Sequence, residues 1–376
     1  MLEHSFIFKC LKMYGFGESF CNIIQLFYTN TNSSVALPTG TSPRFDVKRG
    51  VKQGCPISPS LFILATEMLA LLIKNSNADS LNVFGQKILL SQLADDTTVF
   101  LKDLNQIPKV IDIINYFSKF SGLELNIGKC EIITIHECLL KTVYNIPIKS
   151  SVKYLGINIS KDEVLMEKEN VWNRWNECKG RLDAWMQRDL SVFGRIYLTK
   201  MESLSRCIYP ASCLSISNRA IKTINQINFN FIWRKRVHYI KRAQLIQDYE
   251  NGGLQAFDFY CINGMLKVKW LKNFITSGTS FWFCVSRGIF KKLGGIGFLL
   301  RCDFTVSRLP IKLSSFHQQI LLYWKLLYNH NFTPHKIPIW NNRFILSRYK
   351  SLCILDWLEK GIWSICSVNA NNLSVL

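Results

Sequence analysis

Acidic residues are scarce. Asp and Glu total 26 against 46 Lys and Arg, a formal net charge of +20 over 376 residues. A solvated surface needs no such bias, so the excess points to a polyanionic partner. Nucleic acid comes first and an anionic membrane surface second. Nothing near Met1 has the charged-then-apolar pattern of a signal peptide. The longest apolar run, Leu61 to Ile73, is too short to cross a bilayer and carries Glu67. The 13 cysteines include no Cys-x-x-Cys pair, and none of the six histidines has zinc-finger spacing to a cysteine pair. Without a secretory signal, reduced thiols in an intracellular protein are expected. No internal repeat is present.

Apolar residues, by contrast, are plentiful. They make up 48% of the chain and aromatics 13%, enough for a buried core in two or three domains. Phe20, Ile23, Ile24 and Phe27 recur at helical spacing, one face of a helix predicted over Glu18 to Tyr28. Ser34 to Leu37 and Arg44 to Val47 read as short strands. Gly50 to Pro59 reads as a loop, with Ser58 as cap and Pro59 as first residue of a helix through Lys74. Lys87 to Leu93 and Thr97 to Leu101 predict a hairpin whose tip holds Ala94, Asp95 and Asp96. Ile107, Val110, Ile111, Ile114 and Phe117 predict a helix closed by Gly122. Strands are expected at Leu123 to Ile127, Glu131 to Ile135 and Val152 to Ile159, the last broken by Gly156. After about residue 163 the pattern is helical: Phe193, Ile196, Tyr197, Lys200, Met201 and Leu204 form a stripe with Ser191 as cap, and Ile221 to Trp233 continues alike. Strands with helices first and helices after imply an α+β domain followed by an α-rich one.

Asp95 and Asp96 are the sharpest chemical feature. Neighbouring carboxylates at an apolar hairpin tip repel each other and favour a cation nearby. Nucleotidyl transfer supplies one, because Mg²⁺ takes carboxylate oxygens and shares its shell with substrate phosphates. An ordinary Asp-Asp turn is the alternative. Upstream, the glycines of Gly50 to Pro59 allow close approach of backbone to a nucleotide or template, and the helix start offers amides to phosphate. A plain loop entering a helix accounts for Ser58 and Pro59 but not for the string around Gln53 and Gly54. Trp233 to Arg242 interleaves Arg234, Lys235, Arg236, Lys241 and Arg242 with aromatics. Such a stretch can grip phosphates and stack on bases, or it can be a solvated helix face.

Four strings carry a family resemblance. GVKQGCPISPSLF (Gly50 to Phe62), LADDTTVFL (Leu93 to Leu101), SGLELNIGKCEI (Ser121 to Ile132) and VKYLGINIS (Val152 to Ser160) resemble, in order and at similar distances, sequence blocks of LINE-type (non-LTR) retrotransposon reverse transcriptases. GRIYLTKMESLSRCIYP (Gly194 to Pro210), Phe231 to Trp233 and Asn251 to Leu254 resemble that family's thumb and the region beyond it. The resemblance implies a right-hand polymerase: partial fingers and palm over 1–163, a helical thumb over 164–250 and a helical C-terminal region over 251–376. It implies an RNA-directed DNA polymerase that uses Mg²⁺, deoxynucleotides, an RNA template and a DNA primer. By the same resemblance Asp95 and Asp96 would hold the metal, Gln53, Gly54 and Pro56 would line the nucleotide and template side, and Lys129 would lie near the active site. Read from sequence alone, Lys129 is equally a solvated turn lysine.

Two departures stand out. Leu93 occupies a place where the family has an aromatic residue. The family also takes a further metal-binding aspartate from a block before the Gly-Gln-Gly region, and no Asp occurs before Asp46. Glu3 resembles residues just after that block, which places the missing aspartate upstream of Met1. An impaired enzyme is therefore expected, with a catalytically inactive nucleic-acid-binding remnant as the rival. Fingers absent from these residues would leave Ile23 and Phe27 poorly covered.

Overall fold

The computed structural model describes residues 1–277, 279–302, 309, 311–328, 337–340, 342, 345–348 and 350–367. The chain divides into two compact units, Met1–Leu155 and Gly156–Leu376.

The first unit is built on four helices: α1 (His4–Met13), α2 (Glu18–Tyr28), α3 (Ser58–Asn75) and α4 (Ile107–Ser121). Helix α1 packs on α2, α3 and α4, and α3 also packs on α4. Leu2, Ile7, Leu11, Cys21, Ile24, Tyr28, Leu61 and Ala65 form their shared core. The α2 span agrees with its periodicity, and Ile23 and Phe27 are poorly covered, as expected. Cys21, Ile24 and Tyr28 point inward, whereas Phe20, Ile23 and Phe27 are exposed, the last two at 51% each. The i, i+3, i+7 row won over the neighbouring row because Tyr28 meets the rings of His4 (4.7 Å) and Phe8 (6.4 Å). Helix α4 ends as expected at Gly122, whose φ of +71° is left-handed.

Short antiparallel pairs fill the rest of the unit. Strands β1 (Asn32–Ser33), β2 (Ala36–Leu37), β3 (Gly40–Thr41) and β4 (Phe45–Asp46) pair as β1 with β4 and β2 with β3, two ladders along one hairpin turning at Pro38-Thr39. The expected strand from Lys87 to Leu93 is divided at Leu89. Its first part, β6 (Gln86–Ile88), pairs with β5 (Leu81–Val83), and its second is β7 (Leu90–Leu93). Strand β7 returns as β8 (Asp96–Val99). The expected strands at Leu123–Ile127 and Glu131–Ile135 are absent. Residues Ile127–Lys129 form one 3₁₀ turn, and Ile132 makes only an isolated bridge to Ile148. The apolar alternation there had no neighbouring strand along its length to pair with, and β-propensity depends on that context. The two halves of VKYLGINI are separate strands, β11 (Ser151–Tyr154) and β12 (Ile157–Ser160), after β9 (Thr142–Val143) and β10 (Ile146–Pro147). Positive φ at Leu155 (+46°) and Gly156 (+80°) makes the break.

The second unit is helical. It comprises α5 (Glu163–Glu167), α6 (Asn173–Trp185), α7 (Val192–Leu198), α8 (Ser205–Cys213), α9 (Asn218–Ile232), α10 (Arg242–Ile246), α11 (Phe259–Thr276), α12 (Cys284–Lys291), α13 (Gly295–Arg301), α14 (Ser315–Leu327) and α15 (Leu355–Glu359). Single π-turns, Lys168–Trp172 and Thr199–Leu204, join α5 to α6 and α7 to α8. Ser191 caps α7 as expected, its Oγ accepting from the Gly194 amide at 3.1 Å. The stripe assigned to α7 is mostly turned outward: Phe193, Tyr197 and Met201 are exposed, and Ile196, Thr199 and Ser203 are buried. The π-turn shifts the register by one residue, which a fixed 3.6 period does not anticipate. Helix α11 packs on α8, α9 and α14. Its Lys267 is wholly buried and donates to the Ala211 and Leu214 carbonyls at the end of α8. Among the described residues no helix is long and apolar enough to cross a membrane.

His317 of α14 sits half-buried among Trp270, Phe290 and Phe316, with Nδ1 2.7 Å from Ser314 Oγ and Nε2 3.0 Å from Ser286 Oγ. Burial pushes its pKa down to about 4. The folded state thus holds imidazole neutral while the unfolded chain protonates it near 6.5. The stability His317 contributes is full above pH 6.5 and falls as pH drops from there towards 4. Denaturant unfolding at pH 7.0 and 4.5 is expected to show this loss in the native chain and a smaller one in His317→Gln. Equal losses would rule His317 out as the cause.

In the first unit, Ser91 Oγ of β7 and the Tyr154 hydroxyl of β11 lie 2.7 Å apart. This bond ties the β7–β8 hairpin to the end of the unit. A cycle of Ser91→Ala, Tyr154→Phe and the double variant is expected to give a coupling of about 1 kcal/mol in denaturant unfolding. Strictly additive losses would show that the bond holds nothing.

Candidate active site and nucleic-acid interface

The β7–β8 register pairs Leu90 with Val99, Ser91 with Thr98, Gln92 with Thr97 and Leu93 with Asp96. Ala94 and Asp95 are therefore the two turn residues, and Asp96 opens the return strand. Ala94 takes a φ of +52°. A left-handed conformation costs a non-glycine residue about 1–2 kcal/mol, so the turn is strained. Leu93, Ala94, Asp95 and Asp96 are all exposed. Among the described residues no hydrogen bond or ion pair reaches either carboxylate.

Strand β7 packs on α3, the helix that comes after the Gly50–Pro59 loop. Position, not capping, fixes that helix start. Ile57 is its N-cap with no side-chain hydrogen bond, Pro59 stands in the first turn, and Ser58 is buried with its Oγ 3.5 Å from the Tyr28 hydroxyl. The expected Ser58 cap is therefore not made, because Ser58 already lies inside the helix. The loop itself is anchored at its start. The Gly50 amide donates to the Leu2 carbonyl (2.6 Å), His4 Nε2 meets the Gly50 carbonyl (2.9 Å), and Arg49 pairs with Glu3 at 3.0 Å. Lys52 donates to the Phe27 carbonyl at 2.8 Å and lies over the Tyr28 ring. Gly54, with φ +84°, sits in a conformation that favours glycine. Gln53, Gly54 and Pro56 are exposed. Between them, Cys55 has its thiol pKa held below the ordinary value, chiefly by the Ile57 amide.

Lys129 closes the 3₁₀ turn Ile127–Lys129 and is exposed, with no side-chain hydrogen bond or ion pair among the described residues. The loop and the hairpin thus share α3, while the Lys129 side chain is bonded to neither. Sequence reasoning missed Ser91 and Tyr154, which brace the hairpin. The tyrosine of VKYLG was the available signal.

As for a metal, two unpaired carboxylates on adjacent residues suit Mg²⁺, which is commonly held by one or two carboxylates together with substrate phosphates. No group of three or more His, Cys, Asp or Glu side chains gathers among the described residues. Asp46 does not supply a third, because its backbone pairs with Asn32 in the other hairpin.

In the second unit, Trp233 to Lys241 is a loop between α9 and α10 rather than a helix face. Arg234 and Lys235 come directly after the helix end with φ of +52° and +57°. Arg234 pairs with Asp189 at 2.7 Å and donates to the Arg188 carbonyl at 3.0 Å. Lys235 lies 3.5 Å from Asp183, and the Arg242 guanidinium lies over the Phe229 ring at 4.7 Å. Arg195 donates to the Ile232 carbonyl at 2.9 Å. Its pKa is lowered by burial and by the charges of Arg234 and Arg236. Arg236 and Lys241 are exposed, and among the described residues their side chains make no hydrogen bond or ion pair.

Residues 2–159 match the reverse transcriptase (RNA-dependent DNA polymerase) family. The chain is 26% identical over 243 residues to the Transposon TX1 uncharacterized 149 kDa protein of Xenopus laevis, covering 62% of this chain and 18% of that protein. It is 28% identical over 175 residues to the Retrovirus-related Pol polyprotein from type-2 retrotransposable element R2DM of Drosophila melanogaster, covering 42% and 16%. It therefore spans less than a fifth of the length of these relatives. The hairpin with its two acids and the glycine loop ahead of α3 both fall inside the matched segment, so residues 2–159 carry a reverse transcriptase domain similar to those of non-LTR retrotransposon proteins.

Proposed function

We propose that this chain is the palm and thumb portion of an RNA-directed DNA polymerase, working on an RNA template, a DNA primer and deoxynucleotides. In this reading 1–163 form partial fingers and palm, 164–250 the thumb and 251–376 a helical extension. The observation that carries it is the two-residue turn at Ala94-Asp95, which presents Asp95 and Asp96 to solvent without a partner while β7 rests on the helix behind the glycine loop. Asp95 and Asp96 would hold Mg²⁺, which when bound offsets charge on the transferring phosphoryl group. Gln53, Gly54 and Pro56 would face the nucleotide and template. Their exposure and the left-handed Gly54 leave backbone open to close approach. Lys129 would stand near the triphosphate as a solvated cation. Arg234, Lys235, Arg236, Lys241 and Arg242 would form a nucleic-acid-binding patch on the second unit.

The two carboxylates also support a second reading. Transition-state electrostatics is usually the largest catalytic term, and a two-ion site built on two acids is under-supplied. We infer that the 376-residue chain binds nucleic acid but polymerises poorly. Primer extension on an RNA template with Mg²⁺ or Mn²⁺ is expected to show little or no product. Clear extension abolished by Asp95→Ala would overturn the impairment and uphold the polymerase assignment. Independently of turnover, Mn²⁺ titration followed by electron paramagnetic resonance is expected to show roughly tenfold weaker binding in Asp95→Asn and Asp96→Asn. Unchanged Mn²⁺ affinity in both variants would remove the hairpin from the metal site.

A further inference from the structure

The α9–α10 loop holds one aromatic ring that its own unit leaves mostly in water. Trp233 is buried, and His238 stacks on it at 6.1 Å with an interplanar angle of 25°. Tyr239 meets the same indole edge-on at 5.8 Å, yet remains 79% exposed. The indole therefore steadies the ring on one side while most of its surface stands in water. On either side in sequence lie Arg236 and Lys241, both exposed and unpartnered among the described residues, with Val237 also outward. The remaining cations of the segment are already occupied: Arg234 by Asp189 and the Arg188 carbonyl, Lys235 by Asp183 and Arg242 by the Phe229 ring. Asp189 and Asp183 are the acids these pairs bring to the loop, and both face cations other than Arg236 and Lys241.

Around this loop donors exceed acceptors. The Trp233 indole N–H and Arg234 Nε have no hydrogen-bond partner, and Arg195, Arg234 and Arg236 lie close enough for their charges to oppose one another. An added anion relieves that repulsion. The geometry points to a single-stranded nucleic-acid site in which one base stacks on Tyr239 while Arg236 and Lys241 contact the flanking phosphates. This rests on the reading of the basic segment as a nucleic-acid interface and goes further, naming the strand class and the residue that recognises it. A single strand is favoured over a duplex on two grounds. The segment is an irregular loop, whereas the major groove admits a helix or a two-stranded ribbon. A projecting ring flanked by free cations also needs an unstacked base to act on, which a duplex does not offer.

Fluorescence anisotropy of the full chain with labelled dT₁₅ and rU₁₅, and with a duplex of the same length, tests this. Tyr239→Ala is expected to weaken single-strand binding about 5- to 150-fold and to leave duplex binding and the salt slope unchanged. Tyr239→Phe is expected to keep the affinity. Arg236→Gln with Lys241→Gln is expected to reduce the single-strand salt slope by about 1.4, from roughly 0.7 per phosphate. All substituted side chains are exposed, and circular dichroism checks that the variants fold. Should Tyr239→Ala be neutral while the double Gln variant weakens binding, stacking fails but the basic interface stands. Should the double Gln variant also be neutral, the interface reading itself fails. Anionic-lipid vesicles bound in place of oligonucleotides, with the same Tyr239 dependence, would overturn the site in favour of a membrane surface.

Discussion

Holding two like charges side by side at the end of a short hairpin is the constraint around which the first unit is arranged. Asp95 and Asp96 repel each other, Ala94 sits at positive φ, and the hairpin offers only four paired positions on each strand to offset both. An isolated two-stranded hairpin is marginal in water. Stability has to come from outside it. The β7 strand rests on α3, and Ser91 bonds to Tyr154 close to where the turn begins. The same α3 carries the glycine loop at its N-terminal end, so one helix fixes both the hairpin and the loop that a nucleotide site would need.

Much of this was legible in the sequence because it is local. The Gly122 helix end, the Ser191 cap, the break at Gly156 and the acidic turn each depend on residues within a few positions of one another. The faces of α2 and α7 were not legible. In α2 two apolar rows compete, and tertiary contacts of Tyr28 with His4 and Phe8 decide between them. In α7 a π-turn changes the period. The strands expected around Gly128-Lys129 failed for a related reason: alternation marks a segment able to pair but says nothing of whether a partner strand is present.

The charge excess resolves in the same way. Net charge pointed to a polyanion, but it could not separate cations that brace the fold from cations that face outward. Arg195 holds the last carbonyl of α9, Arg234 pairs with Asp189, and Lys267 ends α8 from inside the core. Each of these is a positive charge whose partner lies tens of residues away in sequence, invisible to a local reading. A surface ion pair is worth little in stability, so Arg234 and Lys235 could yield their carboxylates to a phosphate at small cost, whereas Lys267 could not.

The acids obey the opposite logic. A carboxylate useful for metal binding has to be left without an internal cation, since a Lys or Arg beside it would occupy its oxygens. Asp95 and Asp96 meet that requirement, and no further acid among the described residues gathers with them. Asp46 lies in another ladder. Phe45 and Asp46 pair with Ser33 and Asn32 in the β1–β4 ladder, which is separate from the β7–β8 hairpin. In the proposed polymerase reading, two acids alone would hold one ion with help from substrate phosphates and would leave a second ion short of oxygens.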